Sequence, residues 1–157
     1  SGMNTAVAVR RGQRGDRDFV RDLGRRSALS SVSAVREGRH EDVIIAFERL
    51  VDFVEGRRHE LLIAEESGTR VGFLLLLYDI PDEVTLMEQA FVAYTAVEPA
   101  ARARGIGRAL LDVAEEHARA RGLAYVSLMV TDDNEPARRL YDGAGYATER
   151  RMMTKRL

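Results

Sequence analysis

The chain has no cysteine, no tryptophan, a single lysine (Lys155) and three prolines in 157 residues. Without cysteine there is no disulfide, no thiolate metal site and no cysteine nucleophile. Its three histidines, His40, His59 and His117, show no metal-ligand spacing, so no metal is expected. No apolar run approaches the ~20 residues that cross a bilayer, and no signal peptide is visible. A cytoplasmic protein without a membrane partner is the expectation. The net charge of −1 argues against broad nucleic-acid binding. Basic residues number 24; with one lysine among them, 23 are arginines, an excess read mainly as genomic composition bias, although their planar forks also suit phosphate. Ser1-Gly2 ahead of Met3 reads as a cleavage scar, leaving one expected domain over residues 3–157.

What is present is concentrated in one stretch. An apolar segment from Phe91 to Val97 stops at Glu98-Pro99. Ala100-Ala101-Arg102-Ala103-Arg104-Gly105-Ile106-Gly107-Arg108 follows and opens an amphipathic helix. A strand, a glycine turn and a helix start together place several free N–H groups at one point, where the helix dipole is positive. That is an anion site, suited to phosphate. Gly105 and Gly107 lack Cβ atoms and let a bulky anion lie against the backbone. Arg102, Arg104 and Arg108 oppose the helix dipole by ~0.3–1 kcal/mol each, a conflict that an anion relieves. A Walker A loop is excluded because Arg108-Ala109 follows Gly107. A dinucleotide fingerprint is excluded because Leu110 stands where a third small residue is needed.

Along the chain, Val7 to Arg10 reads as a strand and Arg11 to Gly15 as a turn. Asp16 is expected to cap a helix with Phe19, Val20 and Leu23 inward. Ser27 to His40 reads as a long, mobile loop. A second helix from Glu41 turns Ile44, Phe47, Leu50, Val51 and Val54 inward and ends at Gly56. Two strands follow, Leu61 to Ala64 and Val71 to Tyr78. The unbroken run Phe73 to Leu77 marks a central strand covered on both faces. The helix from Gly107 ends at Gly122, with His117 on its inner stripe in a structural role. Leu123 to Val130 and Tyr146 to Leu157 are read as the last two strands, around a short helix capped by Asn134.

A second motif, Asn134-x-x-Ala137-x-x-Leu140-Tyr141 followed by Gly143 and Tyr146, lies in that short helix. Asn134 and Tyr141 are two turns apart and face the same way. Arg-x-x-Gly-x-Gly after a strand ending Val-x-Pro, together with this second motif, resembles the GNAT superfamily of acyl-CoA-dependent N-acyltransferases. The resemblance covers nearly the whole chain, from Val7 to Leu157. It implies an α/β fold (α+β in some schemes): a mixed, mostly antiparallel central sheet splayed between strands four and five, with helices on both faces. It implies acetyl-CoA as co-substrate, with its pantetheine arm in the splay. The backbone of Ala96 and Val97 would pair with the arm like an added strand. The amides of Ala103, Arg104, Gly105, Ile106, Gly107 and Arg108, with Arg102 beside them, would hold the pyrophosphate. Asn134 would contact the arm, and Tyr141 would sit beside the thioester sulfur as the catalytic acid.

One position departs from the family pattern. Several members carry a glutamate base on the fourth strand, and Phe91 stands there instead. Asp79, Glu83 and Tyr94 are the remaining candidates for a water-relayed base. Glu37, Glu41, Asp42, Asp79, Asp82 and Glu83 are candidates for an acidic rim that attracts a cationic amine. The expected activity is N-acetyl transfer to a primary amine, on a small molecule or on a protein or peptide. A non-catalytic acyl-CoA-binding module of the same fold is the alternative, and a homodimer is compatible with either.

Overall fold

The computed structural model describes residues 7–157. Nine elements follow in order: β1 (Val7–Arg11), α1 (Arg17–Ser27), α2 (His40–Glu55), β2 (His59–Glu66), β3 (Thr69–Leu77), β4 (Ala90–Val97), α3 (Ile106–Ala120), β5 (Val126–Leu128) and α4 (Glu135–Gly143). The five strands form one sheet in sequence order, antiparallel except for the parallel pair β4–β5. Helices cover both faces, as the uninterrupted apolar run of β3 requires. Leu74 and Leu76 pack towards Ile106, Leu110 and Ala114 of α3. Phe73, Leu75 and Leu77 pack towards Val20, Leu23, Phe47 and Val51 of α1 and α2.

Two glycines permit this layering. A Cβ on Gly24 of α1 would fall 1.9 Å from the Phe47 ring of α2. Phe47 in turn meets the Tyr94 ring edge-on at 4.9 Å, and Tyr94 stacks on Phe73 at 6.0 Å. A Cβ on Gly72 would approach the Ala96 carbonyl at 3.0 Å, under Ile106 and Leu110. That glycine lets α3 settle close to the strand leading into the loop.

Strand β4 carries the two features that shape the site. Its pairing with β3 runs Leu75↔Tyr94 and then Leu76↔Val92, so Ala93 is bulged out. A bulge leaves one residue unpaired and re-aims its neighbours. Phe91, Ala93 and Tyr94 consequently all lie on the α1/α2 side. The second feature is that β4 and β5 pair only at Ala90↔Val126, Phe91↔Ser127 and Val92↔Leu128. Beyond those three pairs β5 ends while β4 continues to Val97.

Several expectations need correction. The strand read over Leu123–Val130 is only Val126–Leu128, because β4 offers it three partners and no described strand lies outside it. The segment Tyr146–Leu157 forms no strand. It is tied by side chains instead: Arg150 to Asp82, Arg156 to Glu37 at 2.8 Å and Arg36 to Thr154 at 3.3 Å. The loop expected from Ser27 is shorter, since α1 runs through Ser27 and a 3₁₀ turn holds Ala28–Ser31.

Asp16 does not cap α1 with its side chain. It is buried, accepts from the Gln13 N–H at 2.8 Å, and pairs with Arg10 at 2.8 Å and Arg70 at 3.2 Å. The Arg10 guanidinium holds its carboxyl well below the usual range, outweighing burial, which acts the other way. A depressed folded pKa gives stability that is full above the unfolded value of about 3.9 and is lost as pH falls. Asp16→Asn should therefore destabilise the protein by about 1.5–3 kcal/mol at pH 7, as expected for charge-assisted bonds. In urea titrations the gap between wild type and variant should close progressively below about pH 4; a gap independent of pH would refute the assignment.

Candidate active site

The segment joining β4 to α3 has an unusual backbone. Glu98 N–H bonds Val71 O at 2.7 Å, and Pro99–Ala101 form a single 3₁₀ turn. Ala103 then adopts φ +63° and Gly105 φ +79°, with Arg104 between them outside the positive-φ region. A left-handed alanine is strained by roughly 1–2 kcal/mol, and such strain clusters at functional sites. Alternation of hand turns successive N–H groups towards one concavity. Among the described residues, none of the six N–H groups from Ala103 to Arg108 donates to a protein acceptor; the next, Ala109, bonds Gly105 O. Six free donors at the start of a 15-residue helix form a strong anion cradle.

The two glycines differ in their roles. The space beside Gly105 is open, so its requirement is the left-handed backbone. A Cβ on Gly107 would point at Leu140 Cδ2 of α4, 3.0 Å away, so that glycine serves close packing of the helices. Arg108 Nη1 also donates to Gly143 O at 3.3 Å. The two sequence motifs, some thirty residues apart, are therefore in direct contact. Of the three arginines, Arg104 pairs with Glu66 at 2.5 Å and Arg108 with Asp112 at 3.1 Å. Arg102 is exposed and has no carboxylate partner among the described residues.

At α4, Asn134 Oδ1 accepts from the Ala137 N–H at 3.3 Å and so caps the helix. Tyr141 is buried, with its ring edge-on to Tyr146 at 5.9 Å. Burial alone pushes the Tyr141 phenol above its ordinary pKa. Its hydroxyl makes no hydrogen bond to the described residues, yet no buried side-chain oxygen or nitrogen among them lacks a partner. The hydroxyl therefore remains open to solvent.

The proposed bases fare unequally. Asp79 pairs with Arg57 at 3.2 Å, and Glu83 is exposed and lies 3.8 Å from Arg150. Tyr94 sits beside the bulge with its hydroxyl 3.1 Å from Ser27 Oγ, and burial raises its pKa. His117 is structural: its Nδ1 lies 2.8 Å from Glu60, a buried carboxylate also held by Arg11 at 2.7 Å and by the Tyr78 hydroxyl. Burial works to raise the Glu60 pKa, but the Tyr78 and His117 hydrogen bonds outweigh it and hold the carboxyl low.

One part of the site lay outside sequence reasoning. The Ala28–Ser31 turn crosses the gap between β4 and the segment after β5. Ser27 meets Tyr94 at one end. At the other, Thr131 Oγ1 donates to Ser31 O at 2.7 Å and the Ala34 N–H donates to Asp133 Oδ2 at 2.5 Å. These partners are about one hundred residues apart, and no local pattern announces them.

Comparison with known proteins places this geometry. The model of the acetyltransferase (GNAT) family matches residues 27–146, which include both motifs. A search of curated proteins by sequence finds no match. Among solved structures, a Pyrococcus furiosus protein assigned as an acetyl transferase is 27% identical, with a TM-score of 0.81 over 97% of this chain and 100% of its own. A ribosomal-protein-alanine N-acetyltransferase from Brucella melitensis shares 24% identity at a TM-score of 0.71, over 97% and 99%. An aminoglycoside N-acetyltransferase in complex with CoA shares 14% at 0.70, over 100% and 98%. No described helix is long and apolar enough to cross a membrane.

The different demands on the two glycines are measurable. Gly105→Ala should cost about 1–2 kcal/mol in chemical unfolding, because it forces a Cβ into the left-handed region. Gly107→Ala should cost clearly less, since only the tip of Leu140 must move. Equal costs would contradict this division.

Proposed function

This chain belongs to the acetyltransferase (GNAT) family, and on that premise we propose that it transfers an acetyl group from acetyl-CoA to a primary amine, by direct attack in a ternary complex. The observation that carries the reading is the row of six unbonded N–H groups from Ala103 to Arg108. They match a pyrophosphate in charge and in donor count, and Arg102 stands free beside them. The Glu98–Val71 bond sets the alternation along β4. It sends the peptide groups of Ala96 towards β3 and those of Val97 and Thr95 towards the gap. The Ala96–Val97 stretch thus offers an unpaired edge to the pantetheine amides. Asn134, which caps α4, would contact the same arm. CoA bound to a neighbour of like fold supports the co-substrate, and the neighbours' acceptors, a protein alanine and an aminoglycoside, frame the acceptor as an amine.

Tyr141 has the properties of a donor to the departing sulfur: a buried ring, a hydroxyl without a partner among the described residues, and a raised pKa. Full transfer of a proton from a phenol near 10 to a thiolate near 8.5 costs about 2 kcal/mol, and burial of the phenol adds to that. Tyr141 therefore stabilises the leaving thiolate by a hydrogen bond at least as much as it transfers a proton. The amine must arrive with its lone pair free. A lysine-type ammonium near pKa 10.4 needs about 4.6 kcal/mol to lose its proton at pH 7, against about 1 for an α-amine near 7.8. With Phe91 where the family pattern leads one to expect a glutamate in several members, acceptors of lowered pKa are favoured. The same phenylalanine is the observation behind a second reading, a CoA-binding module without turnover.

Two measurements separate these. Acetyl-CoA at 100 times its Kd should stabilise the fold by about 2.7 kcal/mol, and less at high salt. Tyr141→Phe should keep that stabilisation while kcat, followed by thiol release, falls roughly 10²-fold or more. Unchanged kcat would remove Tyr141 from the chemistry; no thiol release with any amine would favour the module.

A further inference from the structure

The side of the gap facing α1 and α2 is where an acceptor can reach a thioester held along β4, and its chemistry is one-sided. Phe91, Ala93 and Tyr94 are partly exposed there, brought to one side by the bulge at Ala93. In the last stretch of paired ladder before the gap, Phe91 pairs in register with Ser127. Met129, just past the end of β5, is 74% exposed. The Ala28–Ser31 turn closes one end of this recess through Ser27–Tyr94 and Thr131–Ser31. Its Leu29 is half-exposed.

Most carboxylates of the rim are already engaged. Asp79 pairs with Arg57, Asp82 and Glu83 with Arg150, Glu37 with Arg156 and Asp42 with Arg39. Asp133 accepts from the Ala34 N–H. Of the acidic rim read from the sequence, Glu41 alone has no cationic partner among the described residues. A polycation entering here would shed water from several charges and meet a rim whose carboxylates are mostly paired already.

We propose that the acceptor is a monoamine carried on an apolar or aromatic group, bound as the free base against Phe91, Tyr94 and Met129. This rests on the acetyl-transfer reading above. The apolar wall disfavours the ammonium form and lowers the amine's pKa, so deprotonation occurs on entry, to solvent, without a carboxylate base. The nitrogen lone pair then forms the C–N bond to the acetyl carbon. The C–S bond breaks, CoA leaves as the thiolate hydrogen-bonded by Tyr141, and the amide nitrogen releases its second proton, which neutralises the thiolate. Phe91 and Met129 are specificity-determining residues in this account.

The test uses the whole protein with acetyl-CoA and three acceptors: 2-phenylethylamine, spermidine and neamine. At pH 7, kcat/KM for 2-phenylethylamine should exceed both polycations at least 10-fold. Met129→Glu, at a position exposed enough to leave folding undisturbed, should raise the KM for 2-phenylethylamine about 5-fold or more, with kcat and acetyl-CoA affinity unchanged. Phe91→Glu should do the same where it folds, and should narrow the gap to spermidine. A preference for spermidine or neamine overturns the inference, as does an unchanged KM in Met129→Glu. Acetyl-CoA that stabilises the protein while 2-phenylethylamine is not acetylated also overturns it, leaving cofactor binding intact. Acetyl-CoA that neither stabilises the protein nor is consumed overturns the acetyl-transfer reading itself.

Discussion

A peptide group that leaves a sheet ladder must find another partner or stay in water. Between β4 and β5 the ladder ends after three residue pairs, and everything of interest in the molecule lies around that ending. On one side the strand that continues, Ala93 to Val97, keeps an unpaired edge. At its far end the chain turns through two left-handed residues and leaves six more N–H groups unbonded. Alternate residues of this edge, five residues or about 16 Å at ~3.3 Å each, and the loop N–H groups beyond it leave two sets of backbone groups exposed. Such an edge fits a long, thin molecule with amides along its length and phosphate at one end. Side-chain identity contributes little to it, which suits a co-substrate shared by many enzymes.

The opening is held in place by packing on both faces. Gly24 admits the Phe47 ring, Phe47 supports Tyr94, and Tyr94 lies on Phe73 of the central strand. This column fixes the residue beside the bulge from α1 through to β3. On the other face Gly72 lets Ile106 and Leu110 sit low over the sheet, which sets the height of the loop before α3. Buried charge locks the far edge. Asp16 joins β1 to β3 through Arg10 and Arg70, and Glu60 joins β2, β1 and α3 through Arg11 and His117. Removing one partner from such a cluster leaves an uncompensated charge, so these contacts tolerate little change.

The central strand, the four main helices and both motifs were legible from the sequence, because each depends on a local signal. The Phe73–Leu77 run, the amphipathic spacing of α2 and the glycine turn before α3 are of that kind. Three features were not legible. The bulge at Ala93 depends on registers on two strands at once. The shortness of β5 and the absence of a strand after Tyr146 depend on how many partners the sheet offers, which no window of sequence contains. Asp16 looked like a helix cap because Asp before an apolar-periodic segment usually is one; two arginines, six and fifty-four residues away, took it instead. The bridge from Ser31 and Ala34 to Thr131 and Asp133 had no sequence signal at all.

The ion pairs of the described residues have one further property in common: the cation is arginine in every pair except the one made by His117. Lys155 takes part in none of them. A protein that holds a reactive thioester is exposed to stray acylation of its own amines. Guanidinium groups, which stay protonated at any physiological pH, have no lone pair to offer an acyl carbon. The electrostatic framework is thus made of cations that the proposed co-substrate cannot neutralise, and a long working life would not erode it.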